Sequence, residues 1–93
     1  MLAKDSSVRT VLARADWDPA AGVWTVQSSD IAGLVTEVDD LDGLIPKLGE
    51  LVPTLMEANN DLGPRADLVV VRAYRLGMLA DVVRIQLAVP GGG

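Results

Sequence analysis

Asp39-Asp40-Leu41-Asp42-Gly43-Leu44-Ile45-Pro46-Lys47-Leu48-Gly49-Glu50-Leu51-Val52-Pro53-Thr54-Leu55-Met56-Glu57-Ala58-Asn59 is the stretch on which the architecture depends. Its apolar positions Leu41, Leu44, Ile45, Leu48, Leu51, Val52, Leu55 and Met56 recur every three or four residues, the spacing of one helix face. Asp39 or Asp40 supplies an N-cap carboxylate, and Asp42 suits the positive end of the helix dipole. Pro46 and Pro53 oppose a helix, because an internal proline deletes a hydrogen bond and crowds the carbonyl four residues back. They fall on one side of the helix, so the pattern predicts one bent helix with Leu44, Ile45, Leu48, Val52 and Leu55 buried. Asn59-Asn60-Asp61-Leu62-Gly63-Pro64 then combines three helix-stopping residue types.

On both sides of this helix the sequence changes period. Upstream, a strand-like run over 7–16 places Val11, Ala13, Ala15 and then Trp17 on alternate positions, and Val23 to Ser28 is β-branched and aromatic. Asp18-Pro19-Ala20-Ala21-Gly22 between them carries turn chemistry, which predicts an antiparallel hairpin. A second turn over 29–33 leads into a short third strand, Leu34 to Val38. Downstream, Leu68 to Tyr74 is rich in valine, and Val83, Ile85, Leu87 and Val89 alternate with Arg84, Gln86 and Ala88. A turn is expected at Gly77, although Met78-Leu79-Ala80 is apolar for a loop. A second helix over 66–80 stands as the alternative to a strand there, disfavoured by three consecutive valines. The expectation is an α+β fold, an antiparallel sheet with one long helix on one face in the order β-β-β-α-β, and an extra C-terminal strand as an open possibility.

The chain has 93 residues, enough for one domain, which is placed over 1–93 with its core at about 8–89 and a disordered tail at 90–93. With 49% apolar and 23% charged residues and a mean hydropathy of +0.30, it has the material to fold. The only aromatics are Trp17, Trp24 and Tyr74, so the core must be aliphatic. Both tryptophans are expected as core or hairpin anchors. A small aliphatic core is marginal alone, which predicts a homodimer or higher homo-oligomer. The regular apolar face Val83, Ile85, Leu87 and Val89 is the candidate interface.

No cysteine and no histidine occur, which removes thiolate nucleophiles, disulfides, cysteine-ligated metals and the commonest general base. Neither a phosphate-binding loop nor a catalytic triad is present. No catalytic residue, metal or cofactor is expected, and the chain reads as a non-enzyme. No apolar run approaches the roughly 18 residues of a membrane span, and Met1 to Asp5 has no signal-peptide character, so a soluble cytoplasmic protein is expected. The net charge of -5 hides a division. Positions 16–61 hold ten carboxylates and a single cation, Lys47, whereas cations are in excess at both ends of the chain. The acidic segment argues for a basic partner and against nucleic-acid binding. Arg72 lies two residues from Tyr74, a pair able to stack on a base. For Arg72, Arg75 and Arg84, packing along the sheet edge or pairing with acids is the favoured reading.

Several words in the chain carry a resemblance. Ala15-Asp16-Trp17-Asp18, Ala21-Gly22-Val23-Trp24 and Ser29-Asp30-Ile31-Ala32-Gly33-Leu34-Val35-Thr36-Glu37, in this order before a helix, resemble the HicB-like antitoxin superfamily. The similarity spans about residues 8 to 75 and is nearest to a short branch known only as a domain of unknown function, in which a mid-helix proline, here Pro53, also recurs. Ala32 replaces the family's usual proline, and no ribbon-helix-helix or helix-turn-helix segment follows. The resemblance implies a partial ribonuclease H-type fold and a protein-interaction module that occludes a small basic messenger-RNA-cleaving toxin of the HicA type. Asp30, Glu37, Asp39, Asp40 and Asp42 are the candidate partner-binding acids. Asp30 and Gly33 are also expected to shape the turn between strands two and three. A two-metal nuclease built on Asp16, Asp30, Glu37 and Asp39 is disfavoured, because Asp16, Asp18 and Asp30 fall at strand ends or turns and Glu37 faces away from Thr36 and Val38. The alternative is an orphan oligomeric domain that binds a small ligand or a regulator and has no toxin partner.

Overall fold

A computed structural model describes residues 8–60 and 65–87. The elements are β1 (Val8–Asp18), β2 (Val23–Gln27), β3 (Val35–Val38), a single 3-10 turn (Leu41–Gly43), α1 (Leu44–Ala58), β4 (Arg65–Arg75) and β5 (Met78–Gln86). They form one five-stranded sheet in the order β3-β2-β1-β4-β5 with the helix on one face, an α+β architecture. The sheet is mixed, which corrects the expectation of an antiparallel one. β1 pairs β2 antiparallel and β4 parallel, because the β2-β3 hairpin and α1 lie between β1 and β4 and return the chain to the end where β1 began. Residues 65–75 are a strand, so the alternative helix there is excluded, and β5 is the extra C-terminal strand. Met78, Leu79 and Ala80 belong to β5 and not to a loop. The hairpin joining β4 to β5 turns on Leu76 and Gly77, with φ of 51° and 77°, the two left-handed residues of a type I′ turn. Val89 and the tail at 90–93 lie outside the described residues.

The helix begins later than its sequence suggests. Asp40 caps the 3-10 turn, its carboxylate accepting a hydrogen bond from the Gly43 amide at 3.0 Å, and α1 follows from Leu44. Pro46 is therefore in the first turn, where its missing N–H has no partner to lose, and only Pro53 is interior. Leu44, Leu48 and Val52 are fully buried, with Leu51 and Leu55 packed at their flanks. Ile45 is 53% exposed, against expectation: it stands about 100° round the helix from Leu44, which takes it off the contact stripe.

Beneath the helix the sheet contributes Val11, Ala13 and Ala15 from β1, Trp24 and Val26 from β2, Val69, Val71 and Ala73 from β4, and Ile85 from β5. Small alanines on the two central strands leave room for the leucines above them. Ile85 and Leu87, offered above as an oligomer face, are only 2% and 4% exposed within this chain, and Val83 packs against the same core. That face is turned inward because the helix covers it. Trp17 and Trp24 are cross-strand partners with ring centroids 5.3 Å apart, and the Arg75 guanidinium lies over both at 4.7 and 4.9 Å. They anchor the hairpin, as expected.

Candidate functional site

Two surfaces bring chemically active side chains together. The first lies where the edge strand β3 meets the start of α1. Val38 points into the core while Glu37 is exposed, as strand alternation requires. The chain then turns outward through Asp39 and Asp40 before the helix begins. Together with Pro46, Lys47 and Glu50 these residues line a shallow groove of about 480 Å³, which gathers four carboxylates and one ammonium. The structure thus brings Glu37, Asp39 and Asp40 together in one groove. Asp42 is exposed on the neighbouring 3-10 turn but does not line the groove. Lys47 and Glu50 join the groove without having been singled out, although their three-residue spacing marks them as one helix face.

Asp30 lies elsewhere. Strand β2 ends at Gln27, opposite Arg14, so Leu12 on β1 has lost its neighbour on that side. The loop over 28–34 replaces it. The Leu12 amide donates to the Asp30 carboxylate at 2.7 Å, and the Ser28 hydroxyl donates to the Leu12 carbonyl at 2.6 Å. The Asp30 amide in turn donates to the Ser28 hydroxyl at 3.0 Å. Asp30 thus continues the β1 ladder in place of strand backbone, and its partner is on β1 and not within its own turn. Ile31 and Leu34 plug the core on either side of Gly33, whose φ of 84° is the left-handed conformation that glycine tolerates. The Asn59 side-chain amide donates to the Ala32 carbonyl at 2.9 Å and fastens this loop to the end of α1.

The second surface is the sheet face opposite the helix. Leu12, Arg14, Gln27, Ser28, Ser29, Val70, Arg72 and Tyr74 surround an open depression of about 450 Å³. The Arg14 guanidinium lies over the Tyr74 ring at 4.1 Å and its Nε donates to the Asp16 carboxylate at 3.0 and 3.1 Å. The hydrogen bond that Arg14 donates to Asp16 shifts its pKa upward, and like any arginine it is a cation at accessible pH. Sequence reasoning finds Arg72 and Tyr74 but not Arg14, since only the parallel register with β4 sets these residues side by side.

The four carboxylates considered for a nuclease are dispersed: Asp16 on the open face, Asp30 in the loop, Glu37 and Asp39 at the β3 edge. Among the described residues no group of three or more acidic side chains is placed to hold a metal ion. No helix among them is long and apolar enough to cross a membrane.

Comparison with curated proteins finds no match. Among solved structures the chain is similar to a hypothetical protein from the extremely thermophilic bacterium Thermus thermophilus. The two are 36% identical with a TM-score of 0.61, over 78% of this chain and 100% of that one. The model of a domain of unknown function (DUF1902) matches residues 10–73, which include most of β1, all of β2 and β3, the acidic groove, α1 and most of β4, and the chain belongs to that family.

Proposed function

We propose that the chain is an antitoxin-type interaction module of the HicB-like kind, which binds and occludes a small basic messenger-RNA-cleaving toxin in the cytoplasm. The observation that carries this reading is the acidic groove. It lies along an edge strand, so a partner meets free backbone hydrogen-bonding groups and a row of carboxylates at once. Glu37, Asp39, Asp40 and Glu50 take the place of RNA phosphates for a basic toxin surface, with Asp42 adding long-range attraction. Asp30 braces β1 at the other end of the sheet and leaves recognition to the others. The sequence words shared with HicB-like antitoxins support the same reading, and with them a partial ribonuclease H-type arrangement of the sheet.

The test is whether a neighbouring gene encodes a short basic, histidine-containing protein and whether the intact chain associates with it; absence of such a gene speaks for an orphan domain instead. Association is expected to slow as salt rises and to slow by about tenfold or more when Glu37, Asp39 and Asp40 are all changed to lysine. The same variant is expected to lose its rescue of growth under toxin expression. An association rate indifferent to salt, or rescue undiminished in the lysine variant, refutes the proposal.

A further inference from the structure

The open sheet face carries a charge pattern that the acidic groove does not explain. Arg14 on β1 and Arg72 on β4 are direct neighbours in the parallel register, at the strand spacing of about 4.8 Å. Arg84 on β5 stands opposite Val70, one diagonal step from Arg72 on the same face. Like charges at adjacent positions are unfavourable unless something negative lies between them. Among the described residues, Asp16 answers only one of the three, through the Nε of Arg14. A strongly acidic chain thus places three guanidinium groups in a row across the sheet face that the helix leaves uncovered.

The geometry is more particular than a basic patch. Tyr74 backs the Arg14 guanidinium at 4.1 Å, and Asp16 fixes its Nε. The planar cation lies over the ring, tethered through its Nε, and its side chain is still 54% exposed to solvent. A guanidinium plane held in this way is a stacking platform for a nucleobase. Gln27 and Ser29 are exposed at the rim of the same depression, one offering an amide and the other a hydroxyl to a base edge. Arg72 lines the other side, and Arg84 stands just beyond the depression, opposite its lining residue Val70, so the two can meet a phosphate together.

We propose that this depression binds a nucleotide unit, its base stacked on the Arg14 guanidinium against Tyr74 and its phosphate held by Arg72 and Arg84. The phosphate neutralises the arginine row, and the platform gives the base a contact that a simple anion lacks. An acidic peptide would use the arginines but leave the platform bare. The same chemistry is offered by a free mononucleotide and by single-stranded nucleic acid. The proposal is independent of the toxin-binding reading, since it uses a different face.

The experiment is a two-dimensional ¹⁵N–¹H NMR titration of the full chain at low salt. The probes are adenosine monophosphate, a mixed-sequence single-stranded RNA of about twelve nucleotides, and inorganic phosphate. Shifts are expected at the Arg14 Nε–H and at backbone amides of Gln27, Ser29, Arg72 and Tyr74, with phosphate alone much weaker than either nucleotide probe. Arg72→Gln is expected to weaken binding by about tenfold with an unchanged thermal melt, since its side chain is exposed. Tyr74→Leu is expected to reduce the preference for a nucleotide over phosphate. Equal affinity per nucleotide for both nucleotide probes assigns a free nucleotide, and response to RNA alone assigns nucleic acid. The proposal is overturned by phosphate binding as well as the nucleotide or by undiminished binding in Arg72→Gln. It is equally overturned by silence up to millimolar probe, or by shifts of these signals with protein concentration alone, which would mean that a second copy covers the face.

Discussion

Leu76 occupies the first left-handed position of the β4-β5 hairpin, at φ 51°, with a side chain 96% exposed. Nothing in the core holds it there. A left-handed conformation costs an L-residue roughly 1–2 kcal/mol, and Asn-Gly is the favoured pair for this turn. Leu76→Asn is therefore expected to stabilise the protein by about 1 kcal/mol, a rise of roughly 4–8 °C in melting temperature for a domain of this size. Calorimetry checks it, and a melting temperature that falls would show that Leu76 has a packing role. Asp30 gives the opposite case. Asp30→Ala leaves the Leu12 amide without its acceptor and is expected to cost about 1 kcal/mol, kept moderate because water can reach the loop. Asp30→Asn keeps an acceptor oxygen and is expected to cost less. Urea denaturation of the two variants separates this supporting role from partner binding, for which charge matters more than hydrogen-bond capacity.

At the scale of elements, α1 carries two features that weaken it. Pro53 lacks the amide that would bond to Gly49, and Gly49 is an entropic loss with only open space where a Cβ would go. Gly49→Ala is expected to gain about 0.5–1 kcal/mol in chemical denaturation. The helix holds through its buried stripe: Leu48→Ala is expected to cost about 2–5 kcal/mol, whereas Ile45→Lys stays within about 0.5 kcal/mol. This contrast shows where sequence reading succeeds and stops. The 3.6-residue period locates the helix, but Leu44 and Ile45 are equally apolar, and only the axis of the sheet below decides which one it covers. The hairpin of β1 and β2 is legible because its turn residues are local. The pairing of β1 with β4 is not, since a strand read by alternation carries no label for its distant neighbour. The same reason hides Arg14 from Tyr74, while Glu37, Asp39 and Asp40, close in sequence, are found at the groove directly.

For the molecule as a whole, the helix covers one side of the sheet and leaves the other to solvent, and charge divides across the strand order. The β3 end and the start of α1 are acidic, while Arg72, Arg75 and Arg84 lie on β4 and β5. β5 is more than an edge: its Ile85, with Leu87 just after the strand, completes the core beside Val69 and Val71. Truncation after Gly77 is expected to give an unfolded or aggregated product, measured by sedimentation and circular dichroism, and a folded monomer would contradict the assignment of this strand to the core. The parallel pairing of β1 with β4 has a further consequence during synthesis. As residues leave the ribosome, β1 acquires β2 at once, but its other neighbour is translated only after the whole helix has emerged. Throughout that interval the middle of the future sheet is an open border, its hydrogen-bonding groups unsatisfied and its valine and alanines uncovered. The nascent chain is thus most vulnerable to mispairing just before its fourth strand appears, and a slow stretch of translation there would prolong the hazard.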